Sequence, residues 1–200
     1  MSLSTIERLA PSGRFAVQFV LSIAFAQQAH AATLDSIEAT AEGRVAATFE
    51  QVRETLLDIE HLGDGFPTVG HWRVLEQVPG RVRVHARHPA PWPFRDRDYV
   101  VDYRWATLSE GTWMLEAKAV SEPANGAFVE PQSDVVRLDS LRSCWTVRAH
   151  ADGTRVTYEA EAIPRGRLPR WLERQSTVRD TGRLLEALEV ELQRRYGTER

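Results

Sequence analysis

Six histidines, four tyrosines and one cysteine are the side chains of this 200-residue chain best suited to proton transfer, metal ligation or nucleophilic attack. Their spacing argues against most such chemistry. His85 and His88 differ by an odd number, so on a strand they face opposite ways and cannot share an ion. His61, His71 and His150 fall at expected loops or strand ends, where a solvated ring is the simpler reading. Cys144, between Ser143 and Trp145, reads as a small packing residue; alone, it forms neither a disulfide nor a cysteine-based zinc site. No GxSxG elbow, HExxH, CxxC or phosphate-cradling glycine loop occurs. No nucleophile, base and orienting group stand at a recognisable spacing. Neither a catalytic residue, a metal ligand nor a cofactor is assigned.

Composition narrows the partners. Hydrophobic residues are 42% and charged residues 26% of the chain, enough apolar material for a sizeable core. The net charge is −3 with a pI near 6.1, and the arginines are scattered, so nucleic acid is not expected as a partner.

The first 31 residues have the order of an export signal. Arg8 and Arg14 precede the apolar run Phe15–Ala26, and Ala29-His30-Ala31 offers small residues at the two positions read by a signal peptidase. The run is too short to span a bilayer as a mature helix. The expectation is cleavage after Ala31 and a monomeric periplasmic or secreted domain over residues 32–200; a buried N-terminal amphipathic helix is the competing reading.

The elements behind the leader follow from periodicity. Residues 36–42 alternate as a strand, with Ile37, Ala39 and Ala41 on one side. Residues 46–59 repeat Phe49, Val52, Leu56 and Ile59 at helical spacing. Period two returns at 71–77, 81–88, 97–107, 112–120, 134–141, 143–150 and 154–163, with Pro79-Gly80 and Asp152-Gly153 as turns. Residues 171–196 form a long amphipathic helix with Trp171, Val178, Leu185 and Leu192 on its buried stripe. The order predicts one α+β domain: a curved antiparallel sheet wrapped around the C-terminal helix, with a short helix after the first strand.

The inner faces mix large aromatics (Tyr99, Tyr103, Trp105, Trp113, Tyr158) with alanines (Ala39, Ala41, Ala86, Ala117, Ala119, Ala160, Ala162). Interiors are close-packed, so such a mixture either leaves a cavity for an apolar guest or lets the helix approach closely. Pattern alone leaves both open.

The segment Pro91–Val100, PWPFRDRDYV, resembles the proline turn and Arg-Asp strand opening of START domains (steroidogenic acute regulatory protein-related lipid transfer). VVRLDSLRSCW at Val135–Trp145, DGTRVTYEAEAIP at Asp152–Pro164, GRLPRWL at Gly166–Leu172 and a leucine-rich last helix follow in order, so the resemblance covers Leu34 to Arg195. It implies a helix-grip fold and non-catalytic binding of a lipid, sterol or other hydrophobic molecule, with transient membrane contact. The expected pocket lining is Tyr99, Val101, Tyr103, Trp105, Trp113, Leu115, Ala117, Arg137, Tyr158, Ala160, Val178 and Leu185. Arg137 either reaches a ligand head group or points outward. Asp96 and Asp98 are expected to tie strand ends to neighbouring loops by charge-assisted bonds. The superfamily also contains polyketide aromatase/cyclases, for which Arg104, Tyr99, Tyr103 and Tyr158 are the candidate positioning groups. Ala162-Ile163-Pro164-Arg165 departs from relatives that carry an acidic residue before the proline, so ligand identity does not carry over.

Overall fold

The structure, a computed structural model, describes residues 36–65, 69–121, 126–138, 140–163 and 170–197, and in the last helix the side chains from Arg179 onward. The expected leader, residues 1–31, lies outside the described residues. Strand β1 (Ile37–Val45) is followed by α1 (Phe49–Leu57) and α2 (Ile59–Leu62), then by β2 (His71–Val78), β3 (Arg81–His88), β4 (Asp96–Ser109) and β5 (Thr112–Ala119). The chain continues through β6 (Val135–Arg137), β7 (Leu141–His150), β8 (Gly153–Ala162) and α3 (Arg170–Tyr196).

Local chemistry sets the helix boundaries. Thr48 opens α1 with a capping box: the Gln51 amide donates to Thr48 Oγ1 (3.3 Å) and the Thr48 amide donates to Gln51 Oε1 (2.9 Å). The single helix expected over 46–59 is therefore shorter at its start. It is also broken at Asp58, whose ψ of 63° leaves the helical region. Val52, Leu56 and Ile59 are nonetheless buried on one stripe, as the spacing requires.

The sheet order is β1-β8-β7-β5-β4-β3-β2, antiparallel throughout, with β6 pairing β4 off this path. Residue 134–141 behaves differently from the strand expected there. Only Val135–Arg137 pair, and they run parallel to Asp96–Asp98. β5 takes over that edge of β4 from Val101 onward, so β6 has no partner past Asp98 and the chain turns away.

Strand pairing fixes two faces. Val84↔Val101, Tyr103↔Ala117, Leu115↔Trp145 and Val147↔Val156 are cross-strand pairs, so all eight point to the concave side. There Val52, Leu56 and Ile59 of α1–α2 and Leu185, Leu188 and Leu192 of α3 close the core. Full burial of such a side chain contributes about 1.5–3 kcal/mol. Two hydrogen bonds tie helices to strands: Trp72 Nε1 donates to Ile59 O (2.9 Å) and Thr154 Oγ1 donates to Ala47 O (2.7 Å). The fold is the expected helix grip.

The Asp152-Gly153 turn brings β8 under the end of β1. Gly153 has φ +131°, and a Cβ there would lie 2.6 Å from Val45 O. Gly153→Ala is expected to destabilise the domain by about 1–3 kcal/mol, read as a lowered urea midpoint; an unchanged midpoint would show that the turn relaxes freely.

Candidate functional site

The concave face brings aromatic hydroxyls and small residues together. β4 contributes Tyr99, Val101, Tyr103 and Trp105, β5 contributes Trp113, Leu115, Ala117 and Ala119, and β8 contributes Tyr158 and Ala160; register places all ten on one side. The Trp145 and Tyr158 rings meet at a tilt of 46° with centroids 4.5 Å apart, and those of Trp72 and Tyr103 lie 5.9 Å apart. His88 Nε2 and the Tyr99 hydroxyl are hydrogen-bonded at 2.8 Å.

These residues are not equally packed. Val101, Trp113, Leu115, Ala117 and Leu185 are sealed in the core, whereas Tyr99, Trp105, Tyr158 and Ala160 keep accessible surface. Yet burial pushes the hydroxyls of Tyr99, Tyr103 and Tyr158 above the ordinary phenol range of 10.0. Tyr103 itself is 6% exposed. The Val178 side chain lies outside the described residues.

Arg137 is a correction. It pairs in register with Asp98, and Asp98 points to the face opposite Tyr99, so Arg137 is on the outer side of the sheet. Its Nε and Nη2 donate to Asp98 Oδ1 (3.0 Å) and Oδ2 (2.7 Å), and Nη1 donates to Val129 O (2.9 Å). The guanidinium also sits 5.3 Å from the Phe128 ring centroid. With its donors used in this way, it cannot serve a pocket ligand. Arg104, a candidate for a cyclase, is exposed on this same outer face, where it pairs with Glu116 in register.

The outer face of β3 and β4 is a layer of ion pairs covered by residues 126–134. Arg83, 2% exposed, grips Asp102 with two bonds of 2.6 and 2.9 Å and reaches Ala127 O at 3.3 Å. Arg87 joins Asp96 (2.8 Å) to Asp134 (3.2 Å), and Arg95 donates to Ser133 O (3.0 Å). Asp96 also accepts from the Ala90 amide (2.9 Å), so Asp96 and Asp98 have the structural role expected of them. Gly126 lies so close to Glu76 that a Cβ would approach its carboxylate within 2.1 Å. His85 Nε2 meets Asp98 at 3.0 Å, while Nδ1 is buried without a partner among the described residues. A neutral ring protonated on Nε2 fits both facts. Burial lowers the His85 pKa, with Asp98 opposing. Burial also acts to raise the Asp98 pKa, but Arg137 and His85 outweigh it and hold the carboxyl below 3.8.

A second concavity was not legible in the sequence. A groove of about 910 Å³ runs between α1–α2 and the second half of α3, with Leu56, Leu62, Leu188 and Trp145 among its walls and Asp58, His61, Arg183 and Arg194 among its polar ones. Arg195 spans it, binding Asp58 (2.6 Å) and Glu191. Trp145 lies between this groove and the concave face, its ring in tilted contact with Tyr158. These residues are distant in sequence, and only the packing of α3 against α1 assembles them.

Comparison with known proteins supports the fold. No family model matches the sequence. An uncharacterized protein of Pseudomonas aeruginosa is 24% identical over 127 residues, 63% of this chain, and the match spans only 59% of that protein's length. The solved STAR-related lipid transfer protein of Xanthomonas axonopodis superposes with a TM-score of 0.68 at 27% identity, over 78% of this chain and 85% of that one. Human STARD10 gives 0.65 at 16%, over 89% and 76%. The ZhuI aromatase/cyclase from Streptomyces sp. R1128 gives 0.57 at 17%, over 80% and 94%. The architecture is thus that of START-type helix-grip structures, a bacterial one included.

The His85 environment makes a pH prediction. The folded ring binds a proton more weakly than the unfolded chain does, so its contribution to stability is complete above 6.5 and falls as the pH drops below that value. Urea midpoints measured from about pH 7 to about pH 5 should decline for the natural chain and flatten for His85→Gln. An equal slope in both would show that folding does not shift the proton affinity of the ring.

Proposed function

We propose that this chain binds one lipid, sterol or comparable hydrophobic molecule between the concave face and α3, and carries it between membranes. The observation that carries the reading is the accessible surface that Tyr99, Trp105, Tyr158 and Ala160 keep on the concave face, beside the sealed Val101, Trp113, Leu115 and Ala117. Removing the guest's apolar surface from water drives binding at roughly 25 cal/mol per Å². The Xanthomonas structure, whose name describes lipid transfer, shares this fold.

Residues 1–31 act in this reading as a cleaved leader that delivers a monomeric domain to the periplasm or medium, supported by the basic start, apolar run and Ala29-His30-Ala31. Bilayer contact falls to Trp92, 92% exposed on the proline turn between β3 and β4. Tryptophan favours the membrane–water interface, and Pro91 and Pro93 stiffen its support.

A second reading, a cyclase, draws on the hydrogen-bonded His88–Tyr99 pair on the concave face. It is the weaker one: burial keeps Tyr99 protonated far beyond neutrality, and Arg104 faces away. Neither group then acts as a base on an enclosed substrate.

Native mass spectrometry of the purified protein, before and after incubation with bacterial lipid extract, should show one-to-one adducts of an apolar molecule. A chain that stays free of any adduct would end the carrier reading. Trp92→Ala is expected to slow vesicle-to-vesicle transfer several-fold at unchanged adduct occupancy; an unaltered rate would assign membrane contact elsewhere.

A further inference from the structure

We propose that His71 and His85 form a binding site for a divalent transition-metal ion, zinc or copper, on the outer face of β2 and β3. The site is independent of the concave pocket and of what that pocket holds.

Register brings the two rings together. His71 pairs with Arg87 and Arg73 with His85, so the histidines are diagonal neighbours on one face of adjacent strands. Ring side chains bridge such a diagonal. Their centroids are 5.6 Å apart, with the rings inclined at 61°. Zinc–imidazole bonds of about 2.0–2.1 Å at a tetrahedral centre set two ring centres roughly 5–6 Å apart, so the observed spacing is the one a shared ion requires. His71 is exposed and has room to turn a nitrogen toward its neighbour.

His85 is already oriented as a ligand. Its Nε2 lies 3.0 Å from Asp98 Oδ2, and an ionised carboxylate only accepts, so Nε2 carries the ring proton. Asp98 is itself fixed by the two bonds from Arg137. The neutral ring therefore presents a lone pair at Nδ1, and that buried atom has no hydrogen-bond partner. A carboxylate holding one imidazole nitrogen so that the other can bind is the arrangement that orients histidine on a metal.

The surroundings select the kind of ion. Among the described residues no group of three histidine, cysteine or acidic side chains could hold a metal, so water completes the coordination of this pair. Asp96 and Asp134 are engaged by Arg87, and Arg73 stands opposite His85. Magnesium and calcium need oxygen ligands that this pair does not provide, whereas imidazole suits zinc and copper.

The test is calorimetric titration of the whole purified chain, freed of metal with EDTA, with zinc chloride and in parallel with magnesium chloride. One zinc ion should bind per chain, and magnesium should bind at least about tenfold more weakly. Nitrogen-15 spectra of the histidine rings should show zinc moving the Nδ1 signal of His85 while its Nε2 stays protonated. His71→Ala and His85→Gln should each lower zinc affinity by about tenfold or more. His150→Ala, which removes another carboxylate-bonded imidazole, should leave it unchanged. Zinc should also raise the urea midpoint of the natural chain but not that of His71→Ala. If His85→Gln fails to fold, His71→Ala at the exposed position and the ring spectra decide. Absence of zinc binding, equal affinity in His71→Ala, or equal binding of magnesium would overturn the inference.

Discussion

The alternation of β4 is the constraint on which this structure turns. Asp98 and Asp102 occupy one side of the strand, Tyr99, Val101 and Tyr103 the other, and period two permits no compromise between them. The carboxylates lie on a face that is itself buried, so each must be matched by a cation with defined geometry. Arg83 and Arg137 meet that demand with paired, fork-like contacts that lysine could not reproduce. Residues 126–134 then close over the pairs and receive the remaining guanidinium donors on their carbonyl groups. The chain's near-exclusive use of arginine thus has a structural counterpart at these positions.

Polar matching on one side frees the other for size and shape. A wall of alanines, tyrosines and tryptophans need not accommodate any of the ions that β3 and β4 carry. The same backbone that anchors the covering segment holds Tyr99 and Tyr103 in place, so pocket geometry is supported from behind. α3 meets α1–α2 through buried Leu185, Leu188 and Leu192 beside Val52, Leu56 and Ile59, with peripheral ion pairs such as Arg195 and Asp58 that solvent screens.

Much of this architecture was legible in residue order. The strand at 81–88 and the faces of β1, β4, β5 and β8 follow directly from alternation, and the long last helix from its leucine stripe. Opposite orientations for His85 and His88 needed only parity, and the structure pairs one with Asp98 and the other with Tyr99. What alternation cannot show is which strand neighbours which. The two readings of Arg137 stayed open for this reason: its direction depends on β6 joining β4 in parallel, a pairing no local pattern encodes. The break at Asp58 was hidden too, because an aspartate within a helical pattern gives no sign that Arg195, 137 positions away, will engage it. Pattern also could not distinguish the sealed Trp113 from the accessible Tyr158, since both are large residues on inward positions.

The first strand has its place between α3 and the last strand. β1 pairs along its whole length with β8, Ile37 opposite Ala162 and Val45 opposite Thr154, and has no other strand neighbour. Its backbone groups must therefore wait for more than half of the chain to be made before they find their ladder. Contacts of such sequence separation are slow to form, since loop closure has to come first. The sheet is consequently a structure that cannot be finished from its beginning: synthesis supplies the opening strand early, and only the arrival of the final one gives it somewhere to dock.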